Sequence, residues 1–149
     1  MRFHSRPVES DGELLDLDRL LWNVLWKPLG FPRDIRENFK LSGPQFDLVA
    51  VDDVGEVIGG LVANRISEGT VEIRHIAVRS DWQRRSVGSN LFMTLLEEIE
   101  KPVTLQTRAR NSSTQFFRGL GFHPTGEQFN HPEFSKHGIG FHLLRMEVT

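Results

Sequence analysis

The chain has 149 residues, 38% hydrophobic and 26% charged, which suits one globular domain with a core of its own. A formal net charge of -2 gives no global attraction to nucleic acid or an anionic membrane, so any phosphate-binding surface has to be local. The absence of cysteine excludes disulfides, thiolate metal ligands and a cysteine nucleophile, and it fits a reducing cytoplasm. No apolar run approaches the roughly 20 residues that span a bilayer, and the opening Met1-Arg2-Phe3-His4 lacks an apolar secretion segment. The expectation is a cytoplasmic protein with no membrane or nucleic-acid partner. No repeat, low-complexity tract or linker divides it, so residues 1–149 read as a single domain.

Residues 3–7 read as a short first strand. Ser10-Asp11-Gly12-Glu13 then has the form of a capping box, with Ser10 as N-cap and Glu13 reaching back. Leu14, Leu17, Leu21, Val24 and Leu25 follow at helical spacing and predict an amphipathic helix to Trp26, stopped by Pro28 and Gly30. Pro32 starts a second, shorter helix through Phe39. Residues 46–51 are β-rich, Asp52-Asp53-Val54-Gly55 forms a turn, and residues 57–63 complete a hairpin. A turn near Ser67-Glu68-Gly69 leads into a strand over 71–78. Val87, Leu91, Phe92, Leu95, Leu96 and Ile99 mark a helix ending at Lys101-Pro102. Residues 103–108 alternate as a strand, and Asn111 is placed to cap a helix through Arg118 that Gly119 and Gly121 end. Residues 124–129 and 139–148 form a closing strand pair. The order predicts an α+β domain around one mostly antiparallel sheet.

The stretch that carries chemistry is the strand Glu72-Ile73-Arg74-His75-Ile76-Ala77-Val78, the loop through Gln83-Arg84-Arg85-Ser86, and the helix opening at Val87-Gly88-Ser89. A helix N-terminus offers free backbone N–H groups and about half a positive elementary charge. Such an end suits a pyrophosphate. Gly88 lets backbone approach a ligand without a Cβ in the way. Arg79, Arg84 and Arg85 add positive charge to a slightly acidic chain. The plainer reading is a solvated connection.

Gln83-Arg84-Arg85-Ser86-Val87-Gly88 resembles the acyl-CoA signature of the GNAT N-acetyltransferases, Gln/Arg-x-x-Gly-x-Gly/Ala. The strand before it is similar to that family's fourth strand. Phe116-Phe117-Arg118-Gly119-Leu120-Gly121-Phe122 resembles its aromatic-Tyr-x-x-x-Gly-Phe segment, and Ser5-Arg6-Pro7 its opening strand. The resemblance implies a mixed, mostly antiparallel central sheet with helices on both faces. Ser86 departs from the pattern at the first loop glycine, a cost of about 1–2 kcal/mol if φ is positive there. Phe117 stands where many members carry tyrosine, in a chain with no tyrosine, and Asn111 lies one place later than the family's asparagine.

What the resemblance implies is acetyl transfer from acetyl-CoA to an amine, attacked directly in a ternary complex without a metal. Ile76, Ala77 and Val78 would pair with the pantetheine arm, and Gln83, Arg84, Arg85, Ser86, Val87, Gly88 and Ser89 would hold the pyrophosphate. Asn111 and Phe117 would complete the CoA site. Glu72 would be the base that takes the amine proton. Strand alternation puts it on one face with Arg74, Ile76 and Val78, and His75 on the other. The plainer reading of Glu72 is a solvent-facing partner of Arg74, and that of His75 is a packed core residue.

His131, His137 and His142 fit no helical ligand pair; their loop reads as one wall of the acceptor groove. Trp22, Trp26 and Phe31 read as core packing of the first helix or as the opposite wall. The acceptor is a small-molecule or peptide amine of open identity; acyl preference and oligomeric state, homodimer included, are open too. A non-catalytic acyl-CoA-binding module and a plain interaction domain are the alternatives.

Overall fold

The alternating apolar stretches become neighbouring strands in the computed structural model, which describes residues 2–149. The strands are β1 (Phe3–Pro7), β2 (Gln45–Asp52), β3 (Val57–Ser67), β4 (Thr70–Val78), β5 (Val103–Arg110), β6 (His123–Phe129) and β7 (Phe141–Val148). They form one sheet in the order β1-β2-β3-β4-β5-β7-β6. All neighbours are antiparallel except β4 and β5, which run parallel. The helices are α1 (Asp11–Leu25), α2 (Val87–Glu98), α3 (Thr114–Leu120) and α4 (Pro132–Ser135), with 3-10 turns at Lys27–Leu29, Ile35–Phe39 and Ser80–Trp82. No helix among the described residues is long and apolar enough to cross a membrane.

Apolar residues cover the sheet on both sides. One face packs Leu48, Leu61, Val71, Ile73 and Leu105 against Leu91, Phe92 and Leu95 of α2 and Phe117 of α3. The other packs Val49, Val51, Val62 and Ala77 against Leu17, Leu20 and Leu21 of α1 and Phe134 of α4. Burying each leucine stabilises by about 1.5–3 kcal/mol, more than helix propensity supplies over the same residues. Close approach of α1 needs a glycine beneath it: a Cβ at Gly60 would lie 2.0 Å from Leu17 Cδ1.

Local signals mostly hold, with instructive exceptions. Ser10 caps α1 by accepting from Glu13 N (3.1 Å), but the Glu13 carboxylate reaches to Glu9 N and Arg6 instead of the cap residue's own N–H. Leu14 is exposed, and Leu20 takes its place on the buried stripe. The segment after Pro32 tightens into the 3-10 turn at Ile35–Phe39. Asn111 does not cap α3. Ser113 N bonds Arg110 O, which inserts a turn and makes Ser113 the N-cap.

A β-bulge changes the faces of β4. Its pairing with β3 slips between Val62 and Ala63, opposite His75 and Ile73, so Arg74 is the extra residue. An extra residue reverses the alternation that follows it. Ile73 and Ile76 therefore share the α2 face, while His75 packs edge-on against Trp26 at 4.8 Å on the α1 face. Glu72 lies on His75's side, and the expected grouping of Glu72 with Ile76 and Val78 is corrected.

Candidate active site

Pairing between β4 and β5 stops early. The parallel ladder runs from Thr70 with Thr104 to Ile73 with Thr107, and beyond it the strands have no register with each other. Ile76, Ala77 and Val78 pair only with β3, through Leu61, Gly60 and Gly59. A cavity of about 420 Å³ occupies the opening. At one end it is lined by Ile76, Ser113 and Phe117 on the α2–α3 face, and at the other by Trp26, His75, Arg74, Arg110 and Phe134 on the α1–α4 face. The sheet is thus open from one side to the other, with Glu72 and Arg108 on the wall between.

The expected phosphate loop leaves β4 through the 3-10 turn Ser80–Trp82. Trp82 is 1% exposed, packs edge-on against Phe3, and carries Arg85 over its indole at 5.2 Å. That anchor fixes a loop whose Gln83, Arg84, Arg85 and Ser86 all face solvent. Gln83 Nε2 donates to Val78 O at 3.1 Å, so this carbonyl of the open strand is already engaged. Arg84 and Ser86 both have positive φ, 62° and 65°. Ser86 is the N-cap of α2 by backbone only, since no side chain caps the helix, and Asn90 N makes the first helical bond to Ser86 O. The N–H groups of the first turn are thereby left without a side-chain cap or an intrahelical partner. Arg79 is not part of this charge: Asp81 and Glu56 bind it.

Glu72 is 4% exposed, not solvent-facing, and its partner is not Arg74. Gln106 Nε2 donates to Oε1 at 2.6 Å and Arg108 Nη1 to Oε2 at 2.7 Å, while Arg145 holds Gln106 in turn. Arg74 instead donates to Arg36 O. Burial, with the cations of Arg36, Arg74 and Arg110, drives the His75 imidazole well below its ordinary range, so it is neutral. Burial also lowers Arg110, whose guanidinium lies over Phe134 and donates to Leu25 O.

The model of the acetyltransferase (GNAT) family matches residues 12–122. The chain belongs to the GNAT acetyltransferase family. Its fold is shared with an acyl-CoA N-acyltransferase from Pseudomonas aeruginosa (18% identity, 97% of both chains covered, TM-score 0.75). It is shared also with the ribosomal-protein-S18-alanine N-acetyltransferase from Escherichia coli (16% identity, 99% of this chain and 95% of that one, TM-score 0.78). A third is an aminoglycoside 6'-N-acetyltransferase complexed with coenzyme A (14% identity, 100% and 98%, TM-score 0.75). Comparison with curated protein sequences gives no significant match.

In this GNAT protein the departures from the family signature have definite places. Ser86 does occupy the left-handed region, where a Cβ is strained. A Cβ on Gly88 would sit 3.1 Å from the Phe116 ring, so Gly88 lets α3 approach α2. Val87 is buried in the core beneath the loop, and Ser89 is half-buried in the first turn. Phe117 lines the cavity, packed against Phe116 and Phe122. The Asn111 side chain bonds Gly138 O and Gly140 N, pinning the loop before β7.

Of the aromatics near the first helix, Trp26 lines the cavity; Trp22 bonds Phe31 O and Pro32 O outside it, and Phe31 packs on Phe134. His131 lines the cavity too, whereas His137 stacks beside Phe31 and His142 lies on β7. Phe134 was not legible as a site residue: α4 is one turn long, too short for a periodicity signal, and the His131-Pro132 pair before it was the available clue.

Proposed function

We propose that this GNAT protein transfers an acetyl group from acetyl-CoA to the amine of a small-molecule or peptide acceptor, by direct attack in a ternary complex in the cytoplasm. The observation that carries this reading is the cavity through the sheet, with Glu72 on its wall. On the α2 side, Arg84, Arg85 and the first-turn N–H groups of Val87, Gly88 and Ser89 would hold the pyrophosphate. The β4 edge that β5 leaves open at Ile76, Ala77 and Val78, where Gln83 would have to release Val78 O, would pair with the pantetheine arm, with Phe117 against it. The acceptor would enter from the α1 side.

An amine is mostly an ammonium at neutral pH and has to lose a proton before attack. A carboxylate has about four acceptor sites, so each Glu72 oxygen keeps a lone pair besides its bond to Gln106 or Arg108. Glu72 can therefore accept from the ammonium or from a water on it. Phe117 has no proton for the departing thiolate; the dipole of a helix N-terminus and the amine's second proton remain for that step.

The test is thiol release from acetyl-CoA over a panel of amines, with Glu72→Gln beside the parent. The variant is expected to lose roughly 10²–10⁴-fold in kcat with acetyl-CoA affinity nearly unchanged. A kcat within a few-fold of the parent moves the base elsewhere. A thermal shift with acetyl-CoA but no turnover of any amine makes the protein a CoA-binding module.

A further inference from the structure

The α1 end of the cavity holds the positive charge of Arg74 and Arg110, which donate to the backbone carbonyls of Arg36 and Leu25 and have, among the described residues, no carboxylate bridged to them. Trp26 Nε1 and Arg74 Nε are buried without a partner, and both residues line the cavity. His75, 8% exposed between them, has an unpartnered Nε2. Among the described residues no carboxylate bridges to Arg74 or Arg110. Asp18 is taken by Arg33 and Arg36, and the carboxylates acting on Arg74, Asp47 and Glu37, bind Gln45 and Lys40. Glu72 is matched by Arg108. A buried donor with no partner loses its water and gains nothing, so the two donors Trp26 Nε1 and Arg74 Nε favour a ligand that accepts from them. The remaining walls combine the aromatic rings of Phe39, Phe134 and Phe141 with the polar Asn38, Lys40 and Asn130.

Building on the acetyltransferase reading above, we propose that the acceptor is a small amine carrying a carboxylate on an apolar or aromatic body, such as an α-amino acid. The carboxylate sits at Trp26, Arg74 and Arg110, the body lies against the phenylalanines, and the amine faces Glu72. A C–N bond forms to the acetyl carbon and its bond to the CoA sulfur breaks. Of the two protons the ammonium loses, one goes through Glu72 or a water to solvent and one ends on the sulfur. Polyamines and aminoglycosides fail here, because their cations would meet Arg74 and Arg110. A volume of about 420 Å³, near the small end of ligand sites, favours such an acceptor over a folded protein.

The experiment pairs four amino acids with the amines they become on losing the carboxylate: L-phenylalanine with phenethylamine, L-tryptophan with tryptamine, L-leucine with isoamylamine, L-methionine with 3-methylthiopropylamine. Spermidine is the cationic control. At least one acid should exceed its amine by about 100-fold or more in kcat/KM. Arg74→Gln and Arg110→Gln, checked for folding by melting, should raise KM for that acid at least about tenfold with the acetyl-CoA KM unchanged. Arg74→Lys, which keeps charge but loses the Nε donor, should fall between. Equal or better turnover of the amines or spermidine overturns the proposal, as does an Arg74→Gln loss equal for acid and amine. Calorimetry with N-acetyl-L-phenylalanine and uncharged N-acetylphenethylamine separates the two readings. Binding of the former alone, weakened by Arg74→Gln, supports the carboxylate site even if acetyl-CoA fails to bind. Neither ligand binding, in a protein that acetyl-CoA stabilises, overturns the site and spares the acetyltransferase.

Discussion

On the α2 side of the sheet Arg84 and Arg85 stand in solvent on a strained loop, whereas on the α1 side Arg74 and Arg110 are sunk among Trp26, His75 and Phe134. Charge of one sign behaves differently in the two places. Unit charges 4 Å apart interact by about 1 kcal/mol in water and about 4 kcal/mol near a protein surface. Salt screens the first kind within a Debye length of about 8–10 Å and the second far less. The loop is therefore suited to a highly charged ligand it can hold by many weak contacts. The pocket is suited to a single anionic group placed by a few strong ones. Arginine count alone therefore does not locate a binding site; burial decides what each charge is worth.

The sharpest test of the contrast is salt. The double variant Arg84→Ala/Arg85→Ala should raise the acetyl-CoA KM by about tenfold, or about 1.4 kcal/mol, at low ionic strength. The difference should shrink several-fold by about 0.5 M salt, while the Arg74→Gln effect on the acceptor should persist. Equal salt sensitivity at both sites would break the comparison.

A smaller effect concerns His75, whose folded-state pKa lies below its unfolded value of 6.5 through burial and the nearby cations. A depressed base leaves the unfolded chain holding more protons, so stability is full above pH about 6.5 and falls as pH drops. The slope is at most 1.36 kcal/mol per pH unit, giving a loss of about 1 kcal/mol between pH 6.5 and 5.5. Thermal melts over that range should flatten in His75→Gln. An unchanged slope would mean His75 can be charged in the folded protein.

The smallest effect is at Ser86. Its left-handed backbone costs about 1–2 kcal/mol with a Cβ, and glycine returns about 0.4–1 kcal/mol to the unfolded chain. Ser86→Gly should therefore stabilise by about 1 kcal/mol or less on average, read by chemical denaturation. Destabilisation would show that the hydroxyl makes a contact the backbone argument omits.

The strands, α1 with its Ser10 cap, α2 and the basic loop were legible from the chain alone, because each rests on local periodicity, capping or turn chemistry between residues close in sequence. The four matches to the GNAT pattern are local in the same way, and the family they suggested is the one whose model matches residues 12–122. What only the tertiary structure decided was which residues meet. The bulge at Arg74 turned His75 to the side of Glu72, and the early end of the β4–β5 ladder opened the sheet. Register and bulges are set by pairing with distant strands, so strict alternation along β4 misplaced His75. Glu72 found Gln106 and Arg108 instead of Arg74, partners 34 and 36 residues away. Phe134 became a cavity wall because α1, β5 and β7 converge on it, through contacts that no window of neighbouring residues contains.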